Sequence, residues 1–124
     1  MRSSNGIWST VACFCKPPGR CAHDLRSVQR EALEWGPAGV RVNGIAPGPI
    51  GGTEGMSRLL PEGMEEAMRK PIPLRRFGEI DEIANLALFL ASDAASLITG
   101  AVVVADGGAS LVQGFGAAMA NAMG

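Results

Sequence analysis

A short apolar strand followed by a loop dense in proline and glycine constrains the fold of this chain more than any other feature. Val40, Val42 and Ile45 supply the β-branched residues that favour a strand. Residues 47–53 then hold two prolines and three glycines, which end the strand and open a loop. The prolines stiffen this loop, and the glycines let backbone amides approach a ligand closely. Because open parallel sheets bind ligands beyond the carboxyl ends of their strands, we expect the loop to project into a ligand crevice.

The residues around this loop also resemble a known protein family. The resemblance is carried by Arg41-Val42-Asn43, by Ala46-Pro47-Gly48-Pro49-Ile50 and, much later, by Asp106-Gly107-Gly108. Together these motifs resemble the C-terminal half of a short-chain dehydrogenase/reductase. The run from Ile45 to Met56 is most similar to the peroxisomal-type 2,4-dienoyl-CoA reductases. The resemblance extends over residues 32–111.

The resemblance implies an α/β fold, namely the C-terminal portion of a Rossmann-like, doubly wound parallel sheet. We therefore divide the chain into an irregular leader unlike the family (1–23), the C-terminal half of the reductase domain (24–111) and a tail (112–124). In the family, the upstream half carries the glycine-rich nucleotide-binding turn and the catalytic Ser or Asp, and the helix before the organising strand begins with the catalytic Tyr and Lys, which would fall near Pro17 and Cys21 here. None of these groups has a counterpart in this sequence, which contains no tyrosine. We expect a truncated chain.

The chemistry that the resemblance implies is hydride transfer from NADPH to a conjugated 2,4-dienoyl-CoA thioester. Four residues carry over as cofactor-binding positions. Pro47 and Gly48 would shape the loop, the backbone of Ile50 would face the nicotinamide carboxamide, and the Thr53 hydroxyl would donate to the carboxamide or pyrophosphate. Thr53 stands three residues after Ile50, whereas two is the commoner family spacing. No catalytic residue carries over, so we expect an NADP-dependent, acyl-CoA-directed oxidoreductase whose isolated chain is inactive.

The remaining elements are predicted from helical and strand periodicity. A helix should begin at Asp24 and stop at Gly36-Pro37, and two short helices interrupted by Pro61 should form a lid over the loop. A strong helix should span residues 79–91, and residues 100–105 should form a fully buried parallel strand beside the first one. The apolar helix positions are Leu25, Val28, Ala32 and Leu33; Met56, Leu59, Leu60, Met64 and Met68; and Ile80, Ile83, Ala84, Ala87, Leu90 and Ala91.

Side chains of the predicted lid allow both a purely structural and a ligand-binding interpretation. The methionine stripe could contact an acyl chain, but such a stripe more often belongs to the core, and we favour the core. Nearby basic residues could bind CoA phosphates, although a solvated surface is the commoner role for scattered cations. These residues are Arg58, Arg69, Lys70, Arg75 and Arg76.

Two further hypotheses compete with a reductase. The chain could be a non-catalytic fragment that associates with itself or with a full-length subunit through its apolar helix and last strand. It could also be a small metal-binding protein that uses Cys13, Cys15, Cys21 and His23. That spacing differs from the ligand pairs of structural zinc sites, so we expect no metal.

Composition restricts the classes of partner and compartment. A net charge of −1 gives no nucleic-acid-binding signature, and 47% hydrophobic residues in 124 indicate one globular domain. The longest apolar helical run, residues 86–91, is too short to span a bilayer, and no targeting signal is evident. Three cysteines confined to the first fifth of the chain do not form a usual disulfide framework. We expect a soluble intracellular protein, cytoplasmic or peroxisomal.

Overall fold

The computed structural model of this chain describes residues 8–13, 22–60 and 63–114. Three parallel strands form one sheet in the order β1 (Trp8–Cys13), β2 (Val40–Pro47) and β3 (Val102–Ala105). Helix α1 (Ala22–Trp35) links β1 to β2. Helices α2 (Glu54–Leu59), α3 (Glu65–Arg69) and α4 (Ile80–Ala91) lie between β2 and β3. The predicted α/β class and the adjacent, parallel pairing of β2 and β3 are confirmed.

Strand β1 corrects the prediction of an irregular leader. It runs parallel to β2 in a continuous register from Trp8 opposite Val40 to Cys13 opposite Ile45. Its six residues include aromatic and β-branched side chains and neither glycine nor proline, so they suit a strand. The prediction failed at residues 8–13 because the pairing that stabilises this strand comes from a segment some 30 residues away, which local periodicity does not register.

Strand β2 is the centre of the fold because it has a strand on each side. Val42 packs on Val28 and Ala32 of α1, and both Val42 and Ile45 are only 1% exposed. Strand β3, in contrast, has β2 as its one neighbour in the described sheet, and its Val104 is 57% exposed. The prediction that β3 is fully buried is therefore wrong for this chain.

Helix α1 begins two residues before the predicted start and ends where the sequence predicted. Trp35 is its last residue, and a 3₁₀ turn at Gly36–Ala38 follows. Val28 and Ala32 are buried as predicted, whereas Leu25 and Leu33 are exposed. The predicted apolar face is thus wider than the strip of the helix that the sheet covers.

The lid helices confirm the core interpretation for Met56, Leu60 and Met68 of the methionine stripe; the side chain of Leu59 lies outside the described part of the structure. Met56 is buried in a cluster with Ile72, Phe77 and Ala109, and Leu60 and Met68 pack against that cluster. Met64 is exposed. The second lid helix begins at Glu65, and Pro61 lies outside the described residues.

Helix α4 is covered on one side only. Leu90 is buried, whereas Ile80, Leu88 and Phe89 are exposed. Within the predicted apolar stripe, Leu90 is therefore covered and Ile80 is not, whereas Leu88 and Phe89 are apolar positions outside the stripe. In the part of the chain that the structure describes, no helix has the length and apolarity to cross a membrane.

Two buried polar side chains of β2 fix the segment that leads into β3. Arg41 donates from Nη2 to the Ser92 carbonyl and from Nη1 to the Ile98 carbonyl, both at 3.1 Å. Asn43 donates to the same Ile98 carbonyl at 2.8 Å and accepts from the Ala101 N–H at 3.1 Å. These contacts set the point at which β3 begins, and therefore where it ends beside the loop of residues 47–53.

Candidate functional site

The loop that follows β2 lies against the turn that follows β3. The Gly48 N–H donates to the Ala105 carbonyl at 3.0 Å, which continues the pairing of the two strands. A Cβ atom at Gly48 would lie 2.5 Å from Asp106 Cβ and 2.6 Å from Asp106 Cα, distances that real contacts do not reach. Only glycine allows this close approach. The structure therefore brings together two sequence motifs that are almost 60 residues apart.

Asp106 organises its own turn. Its carboxylate accepts hydrogen bonds from the N–H groups of Gly108 and Ser110, each at 2.8 Å. Partial burial acts to raise the pKa of Asp106, but the bonds from Ser110 and Gly108 outweigh it and hold the pKa below its usual value. Gly107 and Gly108 both have positive φ angles, 63° and 87°, which favour glycine. Asp106 is thus an ionised structural cap and a poor proton donor.

Ile50 is held by a single parallel bridge to Gly78. The Gly78 N–H donates to the Pro49 carbonyl and the Gly51 N–H donates to the Gly78 carbonyl, each at 2.9 Å. In such a bridge the N–H and carbonyl of Ile50 itself point away from Gly78. The backbone amide of Ile50 is therefore presented on the other side of the loop.

Thr53 closes the far end of the loop. Its hydroxyl donates to the Ile50 carbonyl at 2.9 Å and accepts from the Met56 N–H at 3.3 Å, which makes it the N-cap of α2. The hydroxyl proton is thus already engaged within the loop. A ligand could receive that proton only if Thr53 released Ile50.

The structure places the four predicted cofactor-binding residues at the carboxyl edge of the sheet: Pro47 is the last residue of β2, and Gly48, Ile50 and Thr53 lie in the loop that follows it. An open groove of about 470 Å³ adjoins it, lined by Ile50, Gly78, Val104, Asp106, Arg76 and Glu82 among others. The roles of the four residues toward a cofactor stay predictions.

Sequence reasoning missed the ion pair beside this loop. Arg76 binds Glu82 through two bonds, of 2.8 and 2.7 Å, and Glu82 also accepts from the Glu79 N–H at 2.9 Å. The hydrogen bond from Arg76, followed by that from Glu79, lowers the pKa of Glu82 from about 4.5 to about 2. Because this pKa is lower than in an unfolded chain, the stabilisation by the pair is complete above about pH 4.5 and disappears as the pH falls toward 2. The six-residue separation matches no helical spacing, so no local pattern indicated it.

The other basic residues of the lid region are exposed, as the surface interpretation predicted, and three of them have local partners. Arg58 pairs with Glu54 and Arg69 with Glu65, both one helical turn apart and exposed. Arg69 also lies over the Phe77 ring, 5.1 Å from its centre. Arg75 has a φ of 58° and donates to the Lys70 carbonyl.

Only part of the candidate zinc site falls within the described residues. Cys15 and Cys21 lie outside the described residues. Among the residues that are described, no group of three or more His, Cys, Asp or Glu side chains is arranged to hold a metal ion.

Comparison with known proteins identifies the family. The sequence pattern of the family described as enoyl-(acyl carrier protein) reductase matches residues 24–110. Over 83 residues, or 66% of the chain, the sequence is 58% identical to a peroxisomal 2,4-dienoyl-CoA reductase of Danio rerio. Over 103 residues, or 77% of the chain, it is 50% identical to the isoepoxydon dehydrogenase patN of Aspergillus clavatus.

Solved structures agree with the sequence comparison. A short chain dehydrogenase from Bacillus anthracis superposes on 85% of this chain with a TM-score of 0.71 and 35% identity. A 7α-hydroxysteroid dehydrogenase complexed with NADH and 7-oxo glycochenodeoxycholic acid superposes on 81% with a TM-score of 0.68 and 31% identity.

The chain spans 28% and 39% of the two relatives, and 45% and 44% of the two structures. Its three parallel strands and the loop after β2 thus correspond to less than half of each of these proteins. The match over residues 24–110 nevertheless covers more than half of the chain, and the chain belongs to the short-chain dehydrogenase/reductase family of oxidoreductases.

Proposed function

We propose that this chain supplies the nicotinamide side of the active site of an NADPH-dependent 2,4-dienoyl-CoA reductase. The observation that carries this proposal is the loop of residues 47–53, in which the amide of Ile50 points away from its bridge to Gly78. The 58% identity to the Danio rerio reductase supports the substrate class. That relative's name also supports a peroxisomal location, with the cytoplasm as the alternative.

The residues of the loop suit the carboxamide end of a nicotinamide. A carboxamide carries one acceptor and two donor hydrogens, and a backbone amide offers the complementary donor and acceptor. The Ile50 carbonyl can accept a second hydrogen bond beside the one from Thr53 because it has two lone pairs. Pro47 limits the backbone freedom at the start of the loop, and Gly48 seats the loop on the Asp106 turn. The bound cofactor would supply the hydride.

The substrate class rests on similarity. The Danio rerio relative acts on a dienoyl-CoA by its name, whereas the Aspergillus clavatus relative is named for isoepoxydon. The run Gly51-Gly52-Thr53-Glu54-Gly55-Met56, which resembles the dienoyl-CoA reductases, leads directly into the lid. We therefore favour a dienoyl-CoA and keep isoepoxydon, or a compound that resembles it, as the alternative substrate.

We further propose that the isolated chain is inactive. The family places the pyrophosphate on a glycine-rich turn and delivers a proton through groups that have no counterpart in this sequence. Hydride transfer requires both reactants to be held in one geometry, and the loop of residues 47–53 would contact one end of the cofactor only.

The experiment is an assay of NADPH absorbance with a 2,4-dienoyl-CoA on two proteins. One is the 124-residue chain, and the other is the joined protein, in which residues 1–23 are replaced by the nucleotide-binding half of a 2,4-dienoyl-CoA reductase together with its catalytic lysine. We expect turnover by the joined protein only, and a loss of about tenfold or more on Pro47→Ala, which loosens the nicotinamide loop. Gly36→Ala, a substitution in open space away from the site, should leave the rate unchanged. Turnover by the 124-residue chain would refute its inactivity, and a joined protein that folds without oxidising NADPH would refute the assigned function.

A second candidate function is association without catalysis. The exposed apolar residues Ile80, Leu88 and Phe89 of α4, together with Val104 of β3, favour it. The chain would bind a second copy of itself or a full-length reductase subunit through this helix and strand.

We predict that the chain self-associates at micromolar concentration because these apolar side chains are left in contact with water. Light scattering should give a mass above the 12.8 kDa of the single chain. Leu88→Lys should shift the distribution toward the monomer, whereas Leu33→Lys, at an even more exposed position on α1, should not. A monodisperse monomer of the unmodified chain would contradict the prediction.

A further inference from the structure

The ion pair between Arg76 and Glu82 is too exposed to be explained by global stability. Its side chains are 51% and 45% exposed, and ion pairs of this exposure contribute little to folding free energy. Its geometry is nevertheless bidentate, which fixes the orientation of both side chains. Glu82 also binds the Glu79 N–H at the start of α4. The two side chains therefore link the residues just before α4 to its first turn.

The residues enclosed by this pair face the candidate site. The Phe77 carbonyl accepts a further hydrogen bond from Arg76 Nη1 at 3.2 Å, while the Phe77 ring is buried beside Met56 and Ile72. Gly78 comes next, and both of its backbone groups bond to the loop, at Pro49 and Gly51. The segment that Arg76 and Glu82 bracket is thus hydrogen-bonded directly to the loop.

Gly78 lies so close to the loop that small movements of its backbone would affect Ile50. A Cβ atom at Gly78 would lie 2.7 Å from Ile50 Cδ1, so the Ile50 side chain rests on the Gly78 backbone. A small displacement of Gly78 would move Ile50 or break one of the two bridge hydrogen bonds. The orientation of the Ile50 amide depends on both bonds.

We propose that Arg76 is a positioning residue for the nicotinamide loop, and that it acts through Glu82 and Gly78 on the backbone of Ile50. The part of this proposal that concerns the cofactor rests on the proposed function. The part that concerns the loop stands on the hydrogen bonds between Gly78 and residues 49–51 and is testable without any cofactor.

The test is amide hydrogen exchange of the 124-residue chain, read by mass spectrometry with fragmentation to single residues. In Arg76→Gln we expect the N–H groups of Gly51 and Gly78 to exchange about fivefold faster. Glu82→Gln keeps an oxygen for the Glu79 N–H but loses the charge, and should accelerate the same two amides. The double variant should match either single variant, because both remove one interaction.

Two controls separate positioning from general stability. Glu65→Gln breaks the exposed pair with Arg69 in α3 and should leave Gly51 and Gly78 unchanged. The Gly44 N–H, which donates to the Ala101 carbonyl inside the sheet, should keep its exchange rate in every variant. Unchanged exchange at Gly51 and Gly78 in Arg76→Gln would overturn the proposal. Equal acceleration at Gly44 would also overturn it, because it would show a structural role spread over the whole fold.

Failure of the proposed function gives a different result. In one case, Arg76→Gln accelerates hydrogen exchange at Gly51 and Gly78, but saturating NADPH slows exchange at neither amide in the joined protein. The role of Arg76 in positioning the loop then stands, and the cofactor assignment fails. If NADPH protects these amides and Arg76→Gln leaves their exchange unchanged, the assigned function stands and the role of Arg76 fails.

Discussion

Replacing Gly48 with valine is expected to destabilise the folded chain by about 3 kcal/mol. The first added atom would lie 2.5 Å from Asp106 Cβ and 2.6 Å from Asp106 Cα. A flexible side chain could move aside, but the obstacle at this position includes backbone. The loop and the Asp106 turn would have to separate, which breaks the bond from the Gly48 N–H to the Ala105 carbonyl.

Urea denaturation followed by circular dichroism measures this loss. Gly48→Ala should show most of this loss of unfolding free energy, since the clash begins at the Cβ atom. Gly36→Ala is the matched control, because nothing lies within 4 Å of a Cβ atom there. A Gly48→Ala chain that unfolds at the same urea concentration as the unmodified chain would show that the contact with Asp106 is looser than the structure has it.

The same substitution bears on the candidate site. Gly48 precedes Pro49, whose carbonyl receives the Gly78 N–H, so a displaced Gly48 would shift one end of the Ile50 bridge. In the reductase joined to its nucleotide-binding half, Gly48→Val should therefore reduce activity even where enough folded protein remains to be assayed.

Local sequence patterns predicted the elements that depend on neighbouring residues. The strand at Val40, the stop at Gly36, the paired lid helices and the helix that ends at Ala91 all follow from periodicity and from proline and glycine positions. The buried Met56 and the exposed Met64 also fit a stripe that is only partly covered. Each of these features depends on residues that lie close together in the sequence.

The features that escaped prediction depend on residues far apart in the sequence. Strand β1 exists through its pairing with β2, and the Ile50 bridge depends on Gly78, 28 residues later. The Arg76–Glu82 pair spans the junction between a turn and a helix, where no fixed spacing applies. The resemblance supplied the loop residues Pro47, Gly48, Ile50 and Thr53, but it gave no indication that the Thr53 hydroxyl is engaged with Ile50.

Asn43 shows how a buried polar residue of the central strand determines the position of the site. It is 1% exposed, and its amide bridges the Ile98 carbonyl and the Ala101 N–H. Ala101 immediately precedes β3, whose last residue, Ala105, receives the Gly48 N–H. The side chain of Asn43 thus fixes where β3 begins, and the register of β3 fixes the position of Gly48 beside Ala105.

We expect Asn43→Leu to destabilise the chain by about 3 kcal/mol, because a side chain of similar length leaves the Ala101 N–H buried without its acceptor. Asn43→Asp should cost less, since it keeps that acceptor. The Arg41 guanidinium and Asn43 Nδ2 bond to the same Ile98 oxygen, so a positive charge already lies close to the introduced carboxyl. Asn85→Leu, on the exposed surface of α4, is the matched control and should change stability by less than about 0.5 kcal/mol. Urea denaturation gives the order of the three variants, and hydrogen exchange at Gly48 shows whether the register of β3 loosens with them. Equal losses for Asn43→Leu and Asn43→Asp would mean that the contact with Ala101 does not hold β3 in place, and that the Ile98 carbonyl carries the effect instead.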